Sequence, residues 1–271
     1  MFLTCSVARA AQADGTPFEL PAGQNASGVL SKDAITVSAV TVQGQTFGEA
    51  TAVWNQWSLQ APNDGVLGLG FGGSVGTPSI LDTMAEQGVI GQRLAGLWLG
   101  SDGGELTLGG LSDARHSGPL AWTPIALSPD GWVAAAANIS VGETSVCSRY
   151  CHVTTASNTP YFTMSMAAAK AVNAALGGTD IGQPGVAALD CTTLYTLPRL
   201  SMQVAGRTLQ MDPLEYTFIL PFGGGVEMCI SGFVGVPALD DGVLALGTLF
   251  MQKFYTAYDA DNGRVGFADS A

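Results

Sequence analysis

An all-β chain built as two lobes of similar topology is the fold class this sequence predicts, and three observations carry the prediction. Gly supplies 36 of 271 residues, and Val, Thr and Leu gather in short runs between turn residues, a distribution that favours strands over helices. Apolar residues make up 47% of the chain and charged residues 12%, which is enough to form a packed core and too little charge for a disordered chain. The third observation is a repeat. Residues 64–71 read DGVLGLGF and residues 241–250 read DGVLALGTLF, each a short apolar run opened by Asp-Gly and closed by Gly. Such a run predicts a buried strand approached from a turn, and two of them, one late in each half, predict two lobes.

In chain order, residues 18–30 predict a hairpin, and the alternation of 34–37 and 39–42 continues it as a meander up to a turn at Gln43-Gly44. Val53 to Leu59, with Trp54 and Trp57, leads into the first DGVLGLGF. A short helix follows, capped by Thr77 with Pro78 at its first helical position, Ile80, Leu81 and Met84 on one face, and Gly88 as its stop. Residues 94–99, 105–108 and 120–125 predict strands, with a tight turn at Asp102-Gly103-Gly104. The pattern pauses near residues 126–129, which divides the chain into lobes 1–127 and 128–271. A strand at 132–141 and an Ala-rich helix at 167–176, stopped by Gly177-Gly178, come next. Residues 200–204 pair with 208–211 across Ala205-Gly206, and 253–258 pair with 264–268 across Asp261-Asn262-Gly263.

Composition also narrows the partners. The excess of 22 acidic over 10 basic residues, a net charge of −12, repels nucleic acid and anionic lipid surfaces. No apolar run approaches the roughly 18 residues that a membrane-spanning helix needs. Cys147 and Cys151 stand four apart, Cys191 and Cys229 lie further on, and Cys5 is alone, so two bridges fit the spacing. The sequons Asn25-Ala26-Ser27 and Asn138-Ile139-Ser140 are candidate glycosylation sites and point, with the cysteines, to a secretory route. The opening MFLTCSVARAAQA ends in small residues as a cleavage site does, but its apolar core is short and broken by Arg9.

Taken together, DGVLGLGF, TPSILDTMAEQGVI, GGELTLGGLSDARHSGPLAWTPI, ISVGETSVCSRYC, LDCTTLYTLPRLSMQVAGRTL, CISGFVG and LGTLFMQKFYTAYDADNGRVGFA follow one another in an order that resembles the pepsin-like aspartic peptidases. The resemblance covers nearly the whole chain. It implies a two-lobed pepsin-like acid protease fold with an incomplete N-terminal lobe, and it implies the bridges Cys147 with Cys151 and Cys191 with Cys229. In that family a strand after the small disulfide loop delivers Asp-Thr-Gly-Thr-Ser to a cleft. The same place here reads Ala156-Ser157-Asn158-Thr159-Pro160, so Ala156 stands at the second catalytic Asp position, and no Asp or Glu lies between Cys151 and Asp180. The twenty residues before the flap-like stretch hold no Asp-Thr-Gly or Asp-Ser-Gly, and Pro21 stands where the family's flap has Tyr.

The chemistry of that family needs two carboxylates sharing a proton, one to take a proton from water and one to protonate the scissile carbonyl. Ser157 and Thr159 do not replace a carboxylate, because an unactivated hydroxyl is a poor base and a poor nucleophile. Other constellations are weaker still. His116 and His152 are the only histidines, and neither stands beside a nucleophile motif such as Gly-x-Ser-x-Gly. Asp259-Ala260-Asp261-Asn262-Gly263 lacks the spacing and closing Glu of a calcium loop and predicts a hairpin turn, and Gly223-Gly224-Gly225 lacks the Lys of a phosphate loop. Asp64 and Asp241 predict turn caps. No metal or cofactor is expected. The sequence thus predicts a monomeric, non-catalytic homologue whose cleft, with Ser157, Asn158 and Thr159 as lining candidates, holds an extended peptide. The alternatives are an active endopeptidase read from a truncated gene, and an inhibitor or carbohydrate-related binding protein on the same fold. The expected location is extracellular, or vacuolar or lysosomal.

Overall fold

A computed structural model describes residues 5–7, 11–19, 26–53, 65–70, 77–126, 131–237 and 239–271, and strand is the dominant element throughout. By contact the described residues group into two compact units. One falls within Met1–Leu94, Leu108–Gly110 and Pro129–Gly131, and the other within Ala95–Thr107, Leu111–Ser128 and Trp132–Ala271. Residues 95–107 and 111–126 thus group with the C-terminal segment. Strand His116–Pro124 pairs along Arg264–Ser270, from Arg264↔Pro124 to Ser270↔His116, which ties it to the end of the chain.

In the first unit, Gln12–Glu19 and Cys5–Val7 flank Ala26–Val37 on one side and Val40–Val53 pairs with it on the other. The expected hairpin is present, but the next reversal is at Ser38-Ala39, not Gln43-Gly44. Ser38 takes the left-handed conformation (φ 56°), while Gly44 (φ 61°) sits inside a continuous strand where the pairing register shifts between Asp33 and Ile35. Glycine's freedom is spent on a bulge instead of a turn. Ile35, Val37 and Val42 form the core of this unit with Ile80 and Met84 of helix Ile80–Glu86. That helix is capped by Ser79, not Thr77. Asp82 N donates to Ser79 Oγ (3.2 Å) and Ser79 N donates to Asp82 Oδ2 (3.0 Å), a reciprocal box that Thr77 is too distant to make.

The first copy of the repeated motif departs from expectation. Its described part, residues 65–70, forms no strand, and Val66 is 92% exposed. Leu67 and Leu69 still pack against the core, so the alternation is real. Gly65, Gly68 and Gly70 leave those two side chains as nearly all the segment has to bury, which is too little to build a strand of its own. Trp54, Trp57, Asp64 and Phe71 lie outside the described residues.

Among the described residues the second unit holds three sheets. The largest runs Arg207–Met211, Leu200–Val204, Val133–Val141, Cys151–Thr155, Val243–Leu246, Phe162–Ser165, Phe233–Val236, with Thr144–Cys147 also paired to Val133–Val141. Ala205 (φ 51°) and Gly206 (φ 77°) make the expected two-residue turn. A second sheet orders Thr179–Asp180, Ala187–Leu189, Val226–Ser231 and Thr217–Gly223, and a third orders Gly103–Leu108, Leu94–Gly100, Phe254–Asp259, Arg264–Ser270 and His116–Pro124. Helix Met166–Ala175 is capped by Ser165, whose Oγ accepts from Ala168 N (3.2 Å), and Gly177 follows at φ 70°. The aromatic core centres on Phe250, fully buried, with ring centroids 4.8 Å from Phe254, 5.4 Å from Phe267 and 6.5 Å from Phe162.

The hairpin Phe254–Asp259 to Arg264–Ser270 turns through the Asp-rich segment, which proves to be a turn lock. Asp259 Oδ1 accepts from Asn262 N (3.1 Å), and its Oδ2 accepts from Asn262 Nδ2 (2.9 Å) and Arg264 Nε (2.7 Å). Burial pushes this carboxyl up, but the Asn262 and Arg264 hydrogen bonds outweigh it and hold it below the usual value of 3.8. A depressed folded value contributes stability that is present above 3.8 and lost as pH falls through the lower folded value. The stability gap between wild type and Asp259→Asn should therefore be constant from about pH 7 to about pH 5 and close below about pH 4, measured by urea unfolding across that range.

Candidate functional site

The turn that carries Ala156 is built by three strands. Cys151–Thr155 runs parallel to Val243–Leu246, with His152↔Val243 and Thr155↔Leu246 in register. Phe162–Ser165 runs antiparallel along the other side of Val243–Leu246, with Phe162↔Leu246. The chain therefore crosses over the end of the central strand between residues 156 and 161. Ala156 N donates to Leu246 O (2.9 Å) and Phe162 N to Gly232 O (2.8 Å), which pins both ends of the crossing.

The turn then docks on the helix that follows the central strand, Thr248–Lys253. Thr248 N donates to Thr159 O (2.8 Å) and Leu249 N to Pro160 O (3.2 Å), so carbonyls of the turn satisfy N–H groups that a helix start leaves unpaired. Gly247 makes this approach possible. A Cβ there would lie 2.3 Å from Tyr161 O and 2.6 Å from Thr159 O. The turn is thus fixed by backbone contacts on two sides, which leaves Ser157 and Asn158 exposed and Ala156 and Thr159 half-buried.

Neutral side chains meet at the start of the turn. Thr155 Oγ1 and Tyr258 Oη are 2.7 Å apart, and the Tyr258 ring packs against Trp132 in a tilted pair with centroids 5.1 Å apart. Burial, partly offset by the Thr155 hydrogen bond, pushes the Tyr258 phenol up to about 12, so it stays protonated and supplies no base. Beside the turn, Tyr161 meets Phe218 edge to face at 5.2 Å. The carboxylate at the start of the second repeated motif is turned away from all of this. Asp241 Oδ1 accepts from Ser165 Oγ (2.5 Å), and Ser165 is the far end of the strand that begins at Phe162, about 10 Å along at roughly 3.3 Å per residue. Asp241 therefore fixes the start of a helix and does not reach the turn.

The remaining expected site residues are placed as follows. Cys147 bonds Cys151 with Cα atoms 5.9 Å apart, and Cys191 bonds Cys229 at 5.4 Å, both within the usual span of a disulfide. His116 packs on Tyr255 (5.0 Å) with Nδ1 3.3 Å from Gly118 O, and His152 is exposed on its strand. Gly224 and Gly225, both at positive φ, turn the hairpin between Thr217–Gly223 and Val226–Ser231. Asn138 is exposed in the strand Val133–Val141. Pro21 and Asn25 lie outside the described residues, between the paired strands Gln12–Glu19 and Ala26–Val37. Among the described residues, Phe18, Glu19, Val29 and Thr51 line a cavity of about 440 Å³. Among the described residues no group of three or more His, Cys, Asp or Glu side chains is placed to hold a metal ion, and no helix is long and apolar enough to cross a membrane.

Strand crossing, paired disulfides and order of elements define a class, and comparison with known proteins gives it a name. The family profile described as eukaryotic aspartyl protease matches residues 4–270. The chain is 34% identical over 265 residues to cathepsin D of Dictyostelium discoideum, covering 94% of this chain and 68% of that protein. It is 32% identical over 266 residues to cathepsin E of Mus musculus (94% and 66%) and 30% identical over 268 residues to cathepsin D of Clupea harengus (95% and 67%). This chain belongs to the eukaryotic aspartyl protease family, and it spans about two thirds of the length of the curated relatives it matches.

Proposed function

We propose that this chain is a non-catalytic member of its family that holds an extended peptide or protein segment without cleaving it. The observation that carries the reading is Ala156. Its methyl group stands at the strand-end turn where the resemblance places a catalytic carboxylate. The stretch from Cys151 to residue 179 contains no acid, and the carboxylate of Asp241 is engaged at the other end of the strands. Peptide hydrolysis by a carboxylate pair needs both members, since a general acid or base supplies about 10²- to 10⁴-fold and one group does not fill both roles at once. The twenty residues before the flap-like stretch also lack Asp-Thr-Gly and Asp-Ser-Gly, so an acid restored at position 156 would still be without the family's partner motif in this chain.

Peptide holding is supported by backbone left open for pairing. Residues 48–51 of Val40–Val53 are exposed, and among the described residues that strand pairs only with Ala26–Val37. An extended peptide adds to such an edge through main-chain hydrogen bonds. The two disulfides fit folding in an oxidising compartment, and we extend this to a secretory route ending outside the cell or in a vacuole or lysosome, with the chain acting as a monomer. Identity to cathepsins D and E over most of the chain favours the competing reading, an active endopeptidase. Calorimetric titration with pepstatin, a peptide inhibitor of this peptidase family, separates the two. The chain should show no tight binding, and Ala156→Asp should not confer it. Tight, acid-dependent binding by the unmodified chain would contradict the proposal.

A further inference from the structure

We propose that Asn138 is a glycan attachment site and that the attached sugars lie over an uncharged polar face of the large sheet. Asn138-Ile139-Ser140 lies within a paired strand, where a carboxamide usually alternates into or out of the sheet with no further freedom. Here the backbone departs from that rule. Asn138 has φ 48°, and the register against Leu200–Val204 shifts between Ser201 and Gln203, so a bulge swings the residue outward while Ile139 stays fully buried. The side chain is exposed, and its Nδ2 donates to Gln203 Oε1 (2.8 Å). A glycosylated Asn keeps one hydrogen on Nδ2, so this bond survives while the sugar leaves along the other N–H direction.

The face around Asn138 is the second, independent observation. Register places Ser145, Ser140, Ser201 and Gln210 in one row across four strands, and Gln203 beside Thr208 in the next. The alternate residues Ile139, Met202, Val204, Leu209 and Met211 are all buried beneath. In a chain of net charge −12, the first row and the Gln203–Thr208 pair carry only hydroxyl and carboxamide groups, and Ala137, in register with Gln203 on its other side, adds a methyl group and no charge. Such a surface offers donors and acceptors that suit sugar hydroxyls, and no charge to desolvate. The modification is a group transfer from a lipid-linked oligosaccharide diphosphate. The bond from Nδ2 to the anomeric carbon forms, the bond from that carbon to the diphosphate breaks, and one amide proton is released as the lipid diphosphate departs. It precedes strand pairing, because the folded strand holds the sequon in the sheet.

The test uses the full chain produced behind a signal peptide in a eukaryotic host and recovered from the secretory fraction. Peptide mass mapping, before and after enzymatic deglycosylation in heavy-oxygen water, reads position 138 separately from Asn25. Wild type and Ser140→Thr should carry the label at 138, whereas Ser140→Ala and Asn138→Gln should lose it. Ser140→Thr and Ser140→Ala are the decisive pair, since both leave the left-handed Asn in place. Deglycosylation of wild type should also speed amide exchange in Leu200–Val204 and Arg207–Met211 several-fold. An unmodified position 138 in the recovered wild type, or a label that persists in Ser140→Ala, would overturn the site. A glycan whose removal leaves that exchange unchanged would overturn its placement on the sheet.

Discussion

Phe250→Ala should destabilise the second unit by about 3–5 kcal/mol, the usual cost of removing a fully buried ring from a core that collapses only in part. Phe250 has no exposed surface and contacts the rings of Phe162, Phe254 and Phe267, so the cavity would be walled by rigid aromatic groups that do not fill it. Ring pairing adds about 0.5–1.5 kcal/mol beyond area burial. The effect should extend to the candidate site, because Phe250 anchors the helix whose first N–H groups hold Thr159 and Pro160. Urea unfolding should show a lower midpoint at an unchanged slope. A loss under about 1 kcal/mol would mean that the core is not organised on this ring.

Gly247→Ala should be costly for a different reason. Gly247 has an ordinary φ of −75°, so no backbone strain is involved. The methyl group would instead meet Tyr161 O at 2.3 Å and Thr159 O and Pro160 C at 2.6 Å, all main-chain atoms that do not rotate away. Either the turn lifts from the helix or the central strand shifts, at about 3 kcal/mol or more. Gly103→Ala is the matched control. No atom lies within 4 Å of its Cβ position and its φ is not left-handed, so the change should stay within about 0.5 kcal/mol. Equal effects at the two glycines would remove the steric account of how the Ala156 turn is held.

Much of this was readable from the sequence, and the failures share a cause. Local signals worked where they were unambiguous. Ala205-Gly206 announced its hairpin, and counting from Cys151, as the family resemblance directs, put Ala156 just past the strand Cys151–Thr155. They failed where two residues competed for one role. Thr77 and Ser79 both suit a helix cap, and only Asp82, three residues after Ser79, decides between them. Gly44 drew the turn prediction because a serine rarely takes positive φ, yet Ser38 does. The repeated motif misled because an apolar pattern does not specify a pairing partner. Val243–Leu246 has strands on both sides, whereas residues 65–70 form no strand at all. The supports of the candidate site were out of reach for a related reason. Thr155 meets Tyr258 across 103 residues of chain, and nothing local to either marks the contact. Gly247 reads as an ordinary glycine until Tyr161 is placed against it.

The central claim is that the turn beginning at Ala156 has no carboxylate with which to activate water. Its most direct test is cleavage of denatured globin by the purified 271-residue chain from about pH 3 to about pH 6, with and without pepstatin, alongside Ala156→Asp. The account predicts no acid-optimal cleavage from either protein, since a single restored carboxylate is not a dyad. Cleavage by the unmodified chain that pepstatin abolishes would contradict it.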